Sequence, residues 1–320
     1  MTASADARAL YAAAEAAAHR PTPHVPCHAC ANGATILADR PDGAVVRHGD
    51  AVAKSHAPDT DPGALDTRVA VAAHLLLAGI LLPPLAPPVP AARPVTTWPY
   101  GAPVDPADPE AAPWEEAAAL LARLHAVDPA ALPGPLPPMR GPAKAARALA
   151  RMAAAGADLS AAEPVLRAWR ALPAWARDEV RAPGPSYLCH GDLHLGQLVR
   201  HPAPTGPWQL IDIDDLGLGD PAWDLARPAA WYAAGLLPPD TWTRFLDAYR
   251  AAGGPAVPPD GDPWPLLDVP ARALTVQTAA LALAKSTAER RELDEAERAM
   301  LASCVRIAAL PPELARDPSS

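Results

Sequence analysis

The stretch covering residues 186–226 constrains the fold more than any other, because it combines short apolar runs with carboxylic acids. The run at residues 187–189 leads into Asp192, and a second run at residues 208–213 holds Asp212 between two isoleucines. A proline-rich segment at residues 202–207 has the composition of a turn, so the stretch predicts a strand hairpin. An acid among apolar side chains is costly to bury unless it is paired or binds a cation.

Three polar side chains are expected to converge at the ends of this hairpin, namely Asp192, Gln197 and Asp212. Two carboxylates and an amide oxygen are hard ligands, which suit Mg²⁺ and the phosphates bound to it. The spacing therefore favours a magnesium and phosphate site in this part of the chain.

Three consecutive motifs closely resemble the aminoglycoside phosphotransferase family, the kinase-like small-molecule phosphotransferases. They are HGDLHLGQ at residues 190–197, LIDIDD at 210–215 and GDPAWD at 219–224. The resemblance is to a kinase catalytic loop, in which an Asp precedes an amide side chain and a metal-binding Asp follows a hairpin. It implies that Asp192 accepts the proton of an acceptor hydroxyl, and that Gln197 and Asp212 bind Mg²⁺. The commoner residue at 197 is Asn, and maltokinase-like members of the superfamily resemble the Gln variant.

Lys54 is the expected nucleotide-binding residue. It ends the apolar run AVAK at residues 51–54, which resembles the kinase strand whose lysine binds the α- and β-phosphates of ATP. The chain has only three lysines, Lys54, Lys144 and Lys285, and otherwise uses arginine as its basic residue. This bias favours a chemical role for a retained lysine. Kinases pair this lysine with a Glu on the next helix. The helix predicted at residues 62–78 has no Glu, so either Asp66 serves or Lys54 has no partner in this lobe.

The resemblance implies an α+β, two-lobed protein-kinase-like fold. A small N-terminal lobe with an antiparallel sheet would bind the nucleotide at residues 1–97, and a mainly helical catalytic and substrate-binding lobe would follow at residues 98–320. At their junction Trp98 or Tyr100 could flank an adenine, although aromatic side chains there are as often packing residues. The 320 residues, half of them apolar, suffice for two lobes with a sizeable core.

Several further polar residues near the motifs have two interpretations. Asp214 either assists a second metal ion or is a surface acid at a strand end. Asp220 and Asp224 either take part in function or only cap a helix and brace the catalytic loop. His125, on a helix predicted at residues 114–127, is expected to be a buried structural donor rather than a catalytic residue.

Charge and cysteine usage restrict the partners. The net charge of −9 argues against nucleic acid and anionic membranes and suits a cationic acceptor. No signal peptide or membrane-spanning run is found, so a cytoplasmic, thiol-reduced monomer or homodimer is expected. Cys27 and Cys30 form a C-x-x-C motif with His24 and His28 nearby, but no second Cys pair follows. A thiol pair in a loop is therefore predicted rather than structural zinc.

The sequence as a whole predicts an ATP- and Mg²⁺-dependent phosphotransferase that acts on a hydroxyl of a small molecule, with an aminoglycoside-type acceptor favoured. One alternative is a sugar, macrolide or amino-alcohol kinase of the same fold. Another is a non-catalytic nucleotide-binding pseudokinase, suggested by the missing helix Glu. A zinc-binding interaction module, suggested by Cys27 and Cys30, is the third. The choice between ATP and GTP stays open.

Overall fold

Short apolar runs separated by turns form an antiparallel sheet of five strands, in the spatial order β1-β2-β3-β5-β4. The strands are β1 (Thr35–Arg40), β2 (Gly43–His48), β3 (Ala51–Ser55), β4 (Ala86–Val89) and β5 (Val95–Pro99). Burial alternates along β3, with Ala51 and Ala53 buried and Lys54 half-buried on the other face. β3 therefore contributes both to the core and to a polar face.

One helix covers the core face of this sheet. The helix α1 (Ala5–His19) carries Leu10 and Ala14, which lie one turn apart and pack against Val46, Ala53 and Val95 of the sheet. This small apolar cluster fixes α1 against β2, β3 and β5.

The computed structural model describes residues 5–19, 30, 33–40, 43–89 and 93–310, and the chain divides into two compact units. The first unit comprises Met1–Ala112, Ala130–Pro137 and Gly196–Asp214, and the second comprises Pro113–Pro129, Pro138–Leu195 and Asp215–Ser320. The first unit thus also includes the hairpin of β8 (Leu198–Arg200) and β9 (Trp208–Leu210), which pairs with the short β6 (Ala102–Pro103). The division at residue 97 stays a prediction.

The second unit is mainly helical, with one small two-stranded sheet of β7 (Tyr187–Cys189) and β10 (Gly217–Gly219). Its helices are α3 (Trp114–His125), α4 (Gly141–Ala154), α5 (Leu159–Arg170), α6 (Ala222–Ala233), α7 (Pro239–Ala251), α8 (Trp264–Glu289) and α9 (Glu295–Ala308). The long α8 is apolar around most of its circumference, and α4, α5 and α9 pack around it through Met152, Val165, Val276 and Met300.

The helix α8 alone, among the described residues, has the length and apolar composition that would allow it to cross a membrane. However, 67 % of its most apolar stretch is buried inside the protein. It is therefore the core helix of the second unit, and its composition reflects burial on several faces.

The region between the second helix and β5 differs from the sequence-based prediction. The helix α2 (Pro62–Ala72) ends before residue 78, because His74 caps a short 3-10 helix at Leu75–Leu77. Residues 79–82 form a turn rather than a strand, in which the amide of Leu82 donates to the carbonyl of Leu210. Cys27, His24 and His28 of the predicted thiol loop lie outside the described residues.

Candidate functional site

Lys54 lies between two carboxylates of the first unit. Its Nζ atom donates a hydrogen bond of 2.6 Å to Oδ1 of Asp212 and lies 2.9 Å from Oδ2 of Asp214. The Lys54 side chain is 18 % exposed, and burial by itself lowers its pKa. The charges of Asp212 and Asp214 outweigh burial and raise the pKa of Lys54 above its ordinary value, so the ammonium stays charged. Lys54, His56, Gln197, Asp212 and Asp214 are called the Lys54 cluster below.

The β8–β9 hairpin brings Gln197 and Asp212 together. Leu198 pairs with Leu210, and the amide of Ile211 donates to the carbonyl of Gln197, so the two polar residues flank the open end of the hairpin. Nε2 of Gln197 lies 3.4 Å from Oδ2 of Asp212. Asp212 has a φ of 65°, in the left-handed region that a residue with a side chain seldom adopts, and such strained conformations concentrate at functional positions.

His56 is a second close neighbour of the Asp214 carboxylate. Nδ1 of His56 lies 3.0 Å from Oδ1 of Asp214, and Nε2 lies 2.9 Å from the hydroxyl oxygen of Thr96. The Thr96 hydroxyl oxygen accepts a bond from Nε1 of Trp98, so the Thr96 hydroxyl proton is available to Nε2 of His56. The ring proton of His56 is therefore assigned to Nδ1. Burial raises the pKa of Asp214, but Lys54 and His56 outweigh it and hold the pKa well below its usual range.

These contacts decide between the two alternatives for the partner of Lys54. Asp66 is exposed on α2, whereas the ion pairs of Lys54 go to Asp212 and Asp214. Both come from a segment that sequence reasoning assigned to the other lobe. Asp214 is accordingly an ion-pair partner of Lys54 and His56 rather than an unpaired surface acid.

The oxygen donors of the Lys54 cluster fit a magnesium ion. Asp212 and Asp214 offer two carboxylates beside the same lysine, and the Gln197 amide, whose Nε2 faces Asp212, carries an oxygen on the same group. Oxygen donors of this kind are the ligands that Mg²⁺ prefers, usually through one or two carboxylates and the phosphates of a substrate.

In the second unit, Asp192 is held between two cations. Its Oδ2 lies 2.6 Å from Nζ of Lys144, and its Oδ1 accepts a bond of 2.7 Å from Nη2 of Arg227. Lys144 also donates to Oδ2 of Asp215 at 2.7 Å, and Arg140 lies beside the other oxygen of Asp215. Burial raises the pKa of Asp192, but Lys144 and Arg227 outweigh it, so the pKa is lowered and Asp192 is ionised at neutral pH. These five residues are called the Asp192 cluster.

The backbone around Asp192 is held by a buried carboxylate of α6. The amide groups of His190 and Gly191 donate to the two oxygens of Asp224 at 2.6 and 2.7 Å. Gly191 has a φ of 84°, and a Cβ atom at this position would collide with the backbone carbonyl of Asp215. The HGD sequence therefore needs its glycine for both conformation and space.

His125 completes this brace. Its Nε2 lies 2.9 Å from Asp224, and its Nδ1 lies 2.7 Å from the hydroxyl of Tyr249. The Tyr249 oxygen accepts a bond from the amide of Ala256, so the hydroxyl proton of Tyr249 is directed to Nδ1 of His125. Nδ1 therefore accepts, and the ring proton of His125 is on Nε2, which donates to Asp224. The expectation that His125 is a buried structural donor is confirmed.

Of the two acids with alternative interpretations, Asp224 braces the loop and Asp220 caps a helix. Asp220 accepts a bond of 2.9 Å from the amide of Ala222, the first residue of α6. The N-cap position itself is Pro221, one residue later than expected. Both contacts agree with the bracing and capping alternative.

Sequence reasoning misses Lys144, Arg227 and His56. The rarity of lysine, which singled out Lys54, applies equally to Lys144 and is the one signal that could have found it. Arg227 and His56 have no such signal, because their roles depend on contacts made by α6 and by the end of β3.

The sequence profile of the "Phosphotransferase enzyme family" (APH) matches residues 44–267. A comparison with curated protein sequences found no matching relative.

Similar solved structures cover most of the chain. A choline/ethanolamine kinase family protein from Mesorhizobium loti is 18 % identical, with a TM-score of 0.54 over 94 % of this chain and 96 % of that one. A thermostable mutant of aminoglycoside phosphotransferase APH(4)-Ia, in a ternary complex with AMP-PNP and hygromycin B, is 16 % identical, with a TM-score of 0.56 over 87 % and 94 %.

A third similar structure is the spectinomycin phosphotransferase APH(9)-Ia in complex with ADP and spectinomycin. It is 12 % identical, with a TM-score of 0.54 over 88 % of this chain and 92 % of that one. At these identities the similarity concerns the fold, and it confirms the expected two-lobed, protein-kinase-like α+β architecture.

Proposed function

The chain belongs to the phosphotransferase enzyme family, and from that premise we propose that it transfers the γ-phosphate of ATP, with Mg²⁺, to a hydroxyl of a small molecule. The observation that carries this proposal is the Lys54 cluster, in which a sheet lysine lies 2.6 Å from the carboxylate that follows the β8–β9 hairpin. A charged lysine beside oxygen ligands for magnesium is the arrangement that binding of a nucleoside triphosphate requires.

Within the Lys54 cluster, Lys54 would bind the phosphates of ATP, and Gln197 and Asp212 would hold Mg²⁺. Bound Mg²⁺ would supply positive charge to the phosphate oxygens during transfer. Asp214 would keep the ammonium of Lys54 in place. His56 contacts the other oxygen of Asp214, and Lys54 and His56 lie on or next to β3, which pairs with β5.

Within the Asp192 cluster, Asp192 would orient the acceptor hydroxyl and accept its proton. The hydroxyl oxygen bonds to the γ-phosphorus while the bond from that phosphorus to the departing ADP breaks, and the proton passes to Asp192. Lys144 and Arg227 keep Asp192 ionised, so it is ready to accept a hydrogen bond. A low pKa makes it a weak base, which suits a loose phosphoryl-transfer transition state in which positioning matters more than base strength.

An amine-bearing, aminoglycoside-type acceptor is favoured. The net charge of −9 attracts cationic molecules to the protein. The same charge argues against nucleic-acid and anionic-membrane partners, and we propose a cytoplasmic protein that is monomeric or homodimeric.

The test is ADP release from Mg-ATP, and separately from Mg-GTP, across aminoglycosides, macrolides, sugars and amino alcohols. Asp192→Ala runs in parallel, and Asp240→Asn, an exposed acid at the start of α7, serves as the control. Release that depends on one acceptor and disappears in Asp192→Ala supports the proposal and identifies the acceptor class. Wild-type turnover by Asp192→Ala would overturn the role of Asp192.

The same panel distinguishes the remaining functions. Turnover of a sugar, macrolide or amino alcohol alone would replace the aminoglycoside-type acceptor. Nucleotide binding without release on any acceptor would favour a non-catalytic nucleotide-binding protein and count against the proposal.

A further inference from the structure

The first unit contains a second group of metal-ligating side chains, formed by His19, Cys30 and His48. The Cys30 sulfur lies 3.2 Å from Nε2 of His19 and 3.6 Å from Nε2 of His48. The three ligand atoms all lie within 4.8 Å of one another, and the imidazole rings meet edge-on with centroids 5.7 Å apart. None of these residues belongs to the Lys54 cluster.

Two of the three side chains are positioned by packed secondary structure. His19 is the last residue of α1, which is fixed on the sheet by Leu10 and Ala14. His48 is the last residue of β2 and is 5 % exposed. The two imidazoles therefore meet because α1 and β2 end at the same place, and Cys30 contacts both of them from the segment that connects these elements.

The distances fit a tetrahedral zinc ion. Zinc–sulfur bonds of about 2.3 Å and zinc–nitrogen bonds of about 2.0–2.1 Å, at a tetrahedral angle, separate sulfur and nitrogen by about 3.6 Å. The observed separations of 3.2 and 3.6 Å need only a small outward movement of His19 to accommodate such an ion. A single thiol proton, by contrast, can be donated to only one of the two imidazoles.

We propose that His19, Cys30 and His48 bind a divalent transition-metal ion, with Zn²⁺ preferred. A thiolate with two imidazoles suits zinc better than the oxygen-ligated Mg²⁺ of the Lys54 cluster. The C-x-x-C motif by itself argues against zinc, because no second Cys pair follows Cys30. The two histidine ligands instead come from α1 and β2, and spacing near Cys30 does not reveal them.

The three side chains would fill three of the four tetrahedral positions, water would take the fourth, and the ion would stabilise the fold. It ties the end of α1 to the end of β2, and so it stabilises the packing of α1 on the sheet that carries Lys54. Because metal binds the folded arrangement and not the unfolded chain, zinc is expected to raise the unfolding midpoint, and its removal to lower it.

The experiment uses the full chain, purified without a metal-binding tag and stripped with a chelator. Zn²⁺ is added, unbound metal is removed and bound zinc is measured. Co²⁺ replaces Zn²⁺ in a second sample, because a cobalt–thiolate bond gives an ultraviolet charge-transfer absorption that identifies cysteine as a ligand. The variants are Cys30→Ser and His19→Ala. Their matched controls are Cys304→Ala in the second unit and His201→Ala, whose ring contacts the carbonyl of Tyr100.

The expected result is about one zinc ion per chain in wild type and both controls. Zinc should raise the unfolding midpoint of these proteins, while Cys30→Ser and His19→Ala bind at least tenfold more weakly and lose the shift. The cobalt–thiolate absorption should be absent from Cys30→Ser. Circular dichroism of the metal-free variants confirms that they fold. No bound zinc in wild type, or unchanged zinc binding and cobalt absorption in folded Cys30→Ser, would overturn the proposal.

Discussion

The ammonium of Lys144 lies 2.6 Å from one oxygen of Asp192 and 2.7 Å from one oxygen of Asp215, so a single lysine of α4 joins two acids of the second unit. Asp215 directly follows the LIDID run, and Asp192 belongs to the HGD motif. Lys144 is thus a positioning residue for the proposed catalytic carboxylate, and it also neutralises charge that would otherwise accumulate between the two acids.

Lys144→Met is expected to lower kcat about tenfold or more, because Asp192 loses one of the two cations that orient it. The pKa of Asp192 is lowered by its cations against the effect of burial, so removing one cation raises that pKa. Asp192 must be ionised to accept a proton, and the acidic limb of kcat/KM against pH should therefore move to higher pH. The rate–pH profile of the variant measures both effects.

Lys144→Arg keeps the charge and should restore most of this shift, whereas Arg147→Gln, on the exposed side of the same helix, should leave the profile unchanged. An acidic limb that stays in place in Lys144→Met would show that Lys144 does not control the ionisation of Asp192.

The contact between Lys144 and Asp192 also shows where sequence reasoning ends. The β8–β9 hairpin could be predicted, because its turn and its apolar runs are adjacent in the chain and carry their own signals. Lys144 meets Asp192 only because α4 packs on α8, and no local pattern encodes that packing. The sequence therefore predicted the identity of the acids better than the identity of the cations that hold them.

Proline removes the sequence signal of β4. Its sequence, Ala-Pro-Pro-Val, is rich in proline, yet it forms an edge strand that pairs with β5 in the described sheet. Proline is tolerated there because an edge strand has no neighbour on its outer side to require the missing amide. Residues 79–82 show the opposite case, since an apolar run forms a turn in which the Leu82 amide and the Ile80 carbonyl bond to Leu210 at the end of β9.

Asp214→Asn is expected to raise the KM for ATP about tenfold, with a smaller change in kcat, because Lys54 loses one of the two charges that position its ammonium. Asp66→Asn is the matched comparison, since Asp66 is the acid that the sequence suggested and it is exposed on α2. Initial rates at varied ATP measure both variants. An effect of Asp66→Asn that equals or exceeds that of Asp214→Asn would contradict the assignment of Asp214 as the partner of Lys54.

Gln197→Asn tests whether the longer side chain is needed to reach the metal. The Gln197 amide lies 3.4 Å from Asp212, and shortening it by one methylene withdraws it by about 1.5 Å. The Mg²⁺ concentration for half-maximal activity should rise about tenfold in Gln197→Asn and more in Asp212→Asn. Asp39→Asn, an exposed acid on β1, is the control. An unchanged Mg²⁺ requirement in Asp212→Asn would remove Asp212 from the metal site.

Asp224→Asn should destabilise the protein by about 3 kcal/mol, because a fully buried carboxylate that accepts bonds from His190, Gly191 and His125 is replaced by a neutral group. Urea unfolding measures the loss, and Asp240→Asn at the exposed start of α7 should change stability by less than about 0.5 kcal/mol. A loss in Asp224→Asn no larger than in Asp240→Asn would show that the brace contributes little to folding.

His194 makes stability depend on pH. Burial and the nearby charge of Arg227 lower its pKa from 6.5 to about 4. Because the folded protein binds this proton less readily than the unfolded chain, stability is retained above pH 6.5 and falls as the pH is lowered toward 4. The expected fall is about 1–2 kcal/mol, less than the full shift would give because the ring is partly exposed.

The urea midpoint at pH 7 and at pH 4.5 measures this fall, and His194→Gln should show a smaller one, because a neutral amide does not titrate. The carboxylates that also begin to titrate in acid are the same in both proteins. Their contribution to the loss of stability therefore cancels when the two proteins are compared. An equal fall in wild type and His194→Gln would mean that the imidazole takes no proton on unfolding in this range, and the acid sensitivity would then belong to the paired carboxylates of the Lys54 and Asp192 clusters.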